Sequence, residues 1–139
     1  MTKIISMLSI LLIAGCSFAG NPPAAVKNAF EKKFPGATSV SWGKENAQEW
    51  EAEFTLNGKK ISANFQVDGT WVETEEPINK EELPKAVLSV IEKQYPGWAI
   101  METDKTETAK NGTIYEADLK NGAKKLSLAF KEDGTTVKE

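Results

Sequence analysis

Two spacings of apolar residues alternate along the chain beyond residue 20. Val26, Ala29, Phe30 and Phe34 fall at i, i+3, i+4 and i+8, one face of an α-helix. Val87, Val90, Ile91 and Tyr95 repeat that face 61 residues later. Pro23 and Pro84 suit a first helical turn, where the missing N–H is no loss. Pro35 and Pro96 disfavour the α region for the residue before them, so the helices end at Phe34 and Tyr95.

Period two takes over after each helix. Between Glu49 and Leu56, the residues Trp50, Ala52, Phe54 and Leu56 point one way, while Glu49, Glu51, Glu53 and Thr55 point the other. Such alternation is that of a half-buried antiparallel strand. Ile61, Ala63, Phe65 and Val67 continue it. Tyr115, Ala117 and Leu119, then Leu126, Leu128 and Phe130, are the counterparts. Asn57-Gly58 and Asn121-Gly122 are tight-hairpin signals, since both central residues of a type I′ turn need positive φ. Asp68-Gly69 and Asp133-Gly134 mark a second hairpin in each half. An initial strand near Ser39 to Lys44 is answered by one near Ala99 to Thr106, with Asn111-Gly112 as a turn after it.

Aligned in order, the two halves read as copies of one unit. Trp50-Glu51-Ala52-Glu53-Phe54 matches Tyr115-Glu116-Ala117-Asp118-Leu119, and Asp68-Gly69-Thr70 matches Asp133-Gly134-Thr135, both 65 residues apart. The reading is an α+β chain of two tandem α-β4 repeats, residues 21–78 and 79–139. They form an antiparallel sheet of roughly eight strands with two helices packed on one face. Glu73 to Lys80 reads as the linker. One unit of about 60 residues is marginal alone, which favours a shared sheet.

Residues 1–20 read as a signal peptide rather than as part of the fold. Lys3 precedes an apolar run from Ile4 to Ile13, shorter than the roughly 20 residues that span a bilayer. Ile13-Ala14-Gly15-Cys16 has the form of a lipobox, with Cys16 lipidated. Ser17-Phe18-Ala19 offers an ordinary cleavage site instead. Either route exports the chain to the periplasm or to the outer membrane or cell surface, with membrane contact only through a lipid on Cys16.

Composition removes whole function classes. The chain has no His and one Cys, so it has no Ser-His-Asp or Cys-His nucleophile and no ordinary zinc site. Its cations are all Lys, and the net charge is −3. Without the Arg fork and with an acidic balance, nucleic acid is not the expected partner. The expectation is a non-enzyme without cofactor, with an unknown envelope or secreted protein as partner.

Leu83-Pro84-Lys85-Ala86-Val87, Tyr95-Pro96-Gly97, Phe34-Pro35-Gly36, the strand of Trp42, Asn57-Gly58-Lys59-Lys60 and Phe65-x-x-Asp68-Gly69-x-Trp71 resemble the PepSY-like family of beta-lactamase-inhibitor-like exported bacterial proteins. The resemblance spans both repeats. It implies a helix-backed sheet in a periplasmic or surface protein that binds, inhibits or regulates a protein such as a hydrolase or peptidase. It brings no catalytic residues. Trp42 and Trp71 become Thr103 and Thr136 in the second copy.

Trp71 is the first candidate for partner binding. If Asp68-Gly69 is a two-residue turn, Trp71 lies on the helix-free face beside Glu73, as an exposed anchor. Glu49, Glu51, Glu53, Glu116 and Asp118 share that face and would steer a basic partner. Lys60, Lys124 and Lys125 stand ready to neutralise them across strands. A flat, solvated strand lacks the cleft that raises a carboxyl pKa for glycoside hydrolysis. Trp42 and Trp50 alternate in step with core residues. The alternative function is a structural or calcium-responsive envelope protein. Asn64-x-Gln66-x-Asp68-Gly69 followed by Glu75 has EF-hand spacing, with Asp68 and Glu75 as the acidic ligands. The segment reads as strand-turn-strand, however, and Ala129 and Lys131 cannot ligate in the second copy.

Overall fold

The computed structural model of the protein describes residues 20–137. The expected signal peptide, up to residue 19, and Cys16 lie outside the described residues. The order of elements is α1 (Ala24–Lys33), β1 (Thr38–Lys44), β2 (Glu49–Leu56), β3 (Lys59–Gln66), β4 (Trp71–Pro77), a 3₁₀ turn (Lys80–Glu82), α2 (Lys85–Gln94), β5 (Ala99–Thr108), β6 (Gly112–Asn121) and β7 (Lys124–Phe130). The fold class is α+β: two helices and one antiparallel sheet of seven strands in sequential order. Each helix starts after its proline and stops at the aromatic residue before the next one. The Phe34 and Tyr95 N–H groups still donate to the Phe30 and Ile91 carbonyls.

Register shows which face each helix covers, because residues paired across strands share a face. Val26, Phe30 and Phe34 of α1 pack on Trp50, Ala52, Phe54, Ala63 and Phe65 of β2 and β3. Val87 and Ile91 of α2 pack on Ala117, Leu119 and Phe130 of β6 and β7. Ala63 pairs with Thr74, Thr74 with Glu107, Glu76 with Lys105, and Lys105 with Tyr115. One face therefore runs unbroken from the first core to the second, and both helices lie on it. The seam between the cores, β4 against β5, is polar on both sides.

Three expectations are corrected here. The eighth strand is reduced to a single bridge, Phe130 to Thr136, with the Val137 N–H donating to the Ala129 carbonyl. Two paired residues make no ladder, so the sheet has seven strands. The acidic stretch from Glu73 is not a linker: Glu73 to Pro77 belongs to β4 and pairs with β5 from Thr108 to Asp104. The connection between the halves is shorter, Ile78 to Pro84. Finally, Asn57-Gly58 forms its hairpin with φ of 52° and 79°, whereas Asn121 pairs with Lys124. Gly122 and Ala123 are then the central turn residues, and only Gly122 needs positive φ.

Candidate functional site

The face without helices is built from the residues that alternate away from the two cores. Glu49, Glu51 and Glu53 project from β2, and Ser62 and Asn64 from β3. Glu73 and Glu75 follow on β4, Glu102, Asp104 and Thr106 on β5, and Ile114, Glu116 and Asp118 on β6. The rows run straight across the strands. Glu51 pairs with Asn64 and Asn64 with Glu73. Glu53 pairs with Ser62, Ser62 with Glu75, Glu75 with Thr106, and Thr106 with Ile114. Asp104 pairs with Glu116, and Glu102 with Asp118.

This face is not flat and solvated, as the alternation alone suggests. Thr106 is only 1% exposed, Ile114 5% and Asn64 7%, although no helix covers them. Asn64 stands between Glu51 and Glu73, and Thr106 stands opposite Glu75. The Thr106 hydroxyl donates to Glu116 Oε2 at 3.0 Å, and the Ser127 hydroxyl to Asp118 Oδ1 at 2.5 Å. Removing water from charged groups favours their neutral forms. Burial therefore raises Glu75 to about 8, helped by the charges of Glu116, Glu73, Asp104 and Glu51. Burial raises Glu51 to about 7, helped by Glu45, Glu53 and Glu73. Asp104 is also raised, by burial and then by Glu102 and Asp118.

Lys60 stands opposite Thr55, and Lys125 stands opposite Lys120, so neither directly faces a carboxylate. Lys124 alternates with Lys125 and falls in step with Leu126 and Leu128, on the helix side. Two ion pairs, Lys59 to Glu76 and Lys80 to Glu81, involve neither Glu51 nor Glu75.

Of the residues singled out from the sequence, Glu49, Glu51, Glu53, Glu73, Glu116 and Asp118 come together on this face. Trp71 does not. The turn after β3 has three residues rather than two: the Gln66 N–H donates to the Thr70 carbonyl, and the Gly69 N–H to the Gln66 carbonyl. Trp71 thereby pairs with buried Phe65 and packs on the first core. A bulge at Val72 then returns Glu73 to the outer face, opposite Asn64. Trp50 is buried, and half-buried Trp42 lies edge-on to Phe30, both within the first core.

Asp68 and Glu75 are not brought together as a calcium loop. Asp68 caps its own turn by accepting the Thr70 N–H at 2.8 Å, which lowers its pKa. Glu75 lies within β4. The described residues contain no group of three or more Asp, Glu, Cys or His side chains placed to hold a metal ion. The residues that sequence reasoning missed are Glu75, as part of the face, and Glu102, Asp104 and Thr106. Their period-two spacing along β5 was a usable signal.

The profile of the beta-lactamase-inhibitor-like, PepSY-like family matches residues 48–138. The chain belongs to this family. Several solved bacterial structures share the fold. A BLIP-like protein from Bacteroides fragilis is 26% identical, with a TM-score of 0.74 over 85% of this chain and 84% of its own. A DUF2874 family protein from Bacteroides ovatus is 24% identical, with a TM-score of 0.76 over 86% of each chain. A Bacteroides eggerthii protein described as periplasmic is 20% identical, with a TM-score of 0.76 over 85% and 87%. No curated protein matches the chain. Family and fold are both inhibitor-like.

Proposed function

We propose that the protein is an exported, non-enzymatic binding module that docks an envelope or secreted protein on the helix-free face of its sheet. The carrying observation is the accumulation of half-buried carboxyl groups on that face, from Glu51 to Asp118, with both helices on the other side. A surface that crowds like charges destabilises the free protein and is relieved by a cationic partner. Such a cost has a functional reason when it sits on an uncovered face. Inhibitor-like family membership supports a protein partner. A hydrolase or peptidase with a basic rim around its site fits the charge.

Export rests on Lys3 and the apolar run from Ile4 to Ile13, with Cys16 as the lipid attachment point if the lipobox is used. The periplasmic description of the Bacteroides eggerthii neighbour agrees with this reading. Descent from a duplicated α-β4 unit accounts for the recurring register. Phe65 with Trp71 and Phe130 with Thr136 are equivalent pairs after equivalent turns.

Affinity capture from native envelope with wild type, Glu53→Lys/Glu116→Lys and Glu31→Lys as baits tests the reading. Wild type and the helix-side Glu31→Lys variant should retain the same protein, and the double variant should lose it. Equal capture by all three, or capture by none, refutes the assignment of the face.

A further inference from the structure

The third strand of each half is finished differently. Lys59-Lys60-Ile61-Ser62 of β3 and Lys124-Lys125-Leu126-Ser127 of β7 hold matching places: each comes after an Asn-Gly pair, and each strand reaches a buried phenylalanine, Phe65 or Phe130. The turns beyond are built alike. The Gly69 and Gly134 N–H groups donate to the Gln66 and Lys131 carbonyls, and Asp68 and Asp133 accept the Thr70 and Thr135 N–H groups. After the first turn, β4 runs back along β3, from Trp71 beside Phe65 to Glu75 beside Ser62. After the second, pairing is the single bridge from Phe130 to Thr136. Among the described residues, no strand lies beside the outer edge of β7 from Lys124 to Leu128.

The backbone along that edge is ready to pair. The Val137 N–H donates to the Ala129 carbonyl, so the main-chain groups of Ala129 point away from β6. By the alternation of an antiparallel ladder, those of Ser127 and Lys125 point the same way. Leu126 and Leu128 are half-buried at the margin of the second core. Lys124 and Lys125 are exposed, and exposed Lys120 stands opposite Lys125. None of these three lysines makes an ion pair among the described residues.

β4 displays the kind of segment that fits such an edge. Its run Glu73-Thr74-Glu75-Glu76 lies along β3 on the way to Lys60 and Lys59, and Lys59 forms an ion pair with Glu76. We propose that the open edge of β7 takes up an acidic extended segment of another protein as an added strand. The guest hydrogen-bonds to the main chain of Lys125 and Ser127 and sets a carboxylate on Lys124, in the place that Glu76 has on Lys59. Lysines on an edge deter pairing with basic or uncharged strands, so the residues that protect this edge also select an acidic guest. The site is separate from the helix-free face and does not rest on the docking reading.

The test titrates the isotope-labelled mature chain with a blocked synthetic peptide of the sequence of residues 70–79, which carries the Glu-Thr-Glu-Glu run. By NMR, the amides of Lys125 and Ser127 should shift and exchange more slowly with solvent, while those of Glu49, Glu51 and Glu53 stay in place. Lys124→Glu/Lys125→Glu changes exposed positions and should melt like wild type, yet bind the peptide about tenfold more weakly or worse. A peptide with Gln in place of its Glu residues should lose binding to the same extent, and salt should weaken the acidic peptide. N-methylation at alternate peptide residues should abolish binding in one phase and spare it in the other, since only every second N–H faces β7. No shift on β7 at millimolar peptide, shifts confined to the helix-free face, or equal binding of the Gln peptide overturns the proposal. Shifts of the β7 amides that grow with protein concentration in the absence of peptide would give the edge to a second copy of the chain and overturn it as well.

Discussion

The Lys33 ammonium lies 3.9 Å from the centroid of the Trp71 ring, so the last turn of α1 clasps β4 on the helix side of the sheet. The Trp71 indole N–H donates to Thr74 Oγ1 at 3.0 Å, which fixes the ring from its other side. The most conspicuous aromatic candidate for a partner anchor is thus part of the internal packing. Its counterpart in the second half, Thr136, makes only the bridge to Phe130.

Trp71→Ala should therefore act on stability. Loss of a half-buried indole and its cation contact is expected to cost about 2 kcal/mol. Lys33→Met should cost roughly 0.5–1 kcal/mol. Urea denaturation measures both, and partner capture by the folded Trp71→Ala protein should be unchanged. A variant of wild-type stability that loses the partner would return Trp71 to the interface.

Gly69 and Gly134 occupy equivalent turns and touch equivalent helices. A Cβ on Gly69 would lie 2.6 Å from the Ala25 carbonyl oxygen, and one on Gly134 would lie 3.0 Å from that of Ala86. Gly58 has a similar φ of +79° but open space around it. Gly58→Ala should cost only the left-handed strain, about 1 kcal/mol. Gly69→Ala should cost about 3 kcal/mol, because α1 must also retreat. Equal losses in the melts of both variants would mean that the turn does not brace the helix.

The polar seam between β4 and β5 divides the apolar interior. Thr74 faces Glu107 and Glu76 faces Lys105 on the helix side, while Glu73 faces Thr108 and Glu75 faces Thr106 on the other. Phe30, with ring centroids at 4.9 Å from Phe54 and 5.2 Å from Trp42, belongs wholly to the first core. Phe30→Ala should cost roughly 3–5 kcal/mol. By hydrogen exchange, amides of β2 and β3 should accelerate at least tenfold more than those of β6 and β7. Equal acceleration would show one cooperative unit across the seam.

Much of this architecture is legible in the sequence, because a single burial period governs each element. The helices follow from Val26–Phe34 and Val87–Tyr95. β2, β3, β6 and β7 follow from strict alternation, which also places Glu49, Glu51, Glu53, Glu116 and Asp118 correctly. What alternation cannot convey is a change of parity. The extra turn residue before Thr70 and the bulge at Val72 reverse Trp71 while leaving Glu73 where expected. β4 has no alternating apolar residues, since it lies at the seam between two cores, so its acids resemble a linker. The raised pKa of Glu75 depends on four strands crowding together, and no local pattern of residues records that.

The face itself is open to a direct measurement. A photo-crosslinking amino acid is placed at Glu53 or Asp118 on the helix-free side, or at Glu31 or Lys93 on the helices, and the chain is irradiated in its native envelope. The account predicts one protein partner crosslinked from Glu53 and Asp118 and none from Glu31 or Lys93. Crosslinks to that partner from the helix positions alone would contradict it.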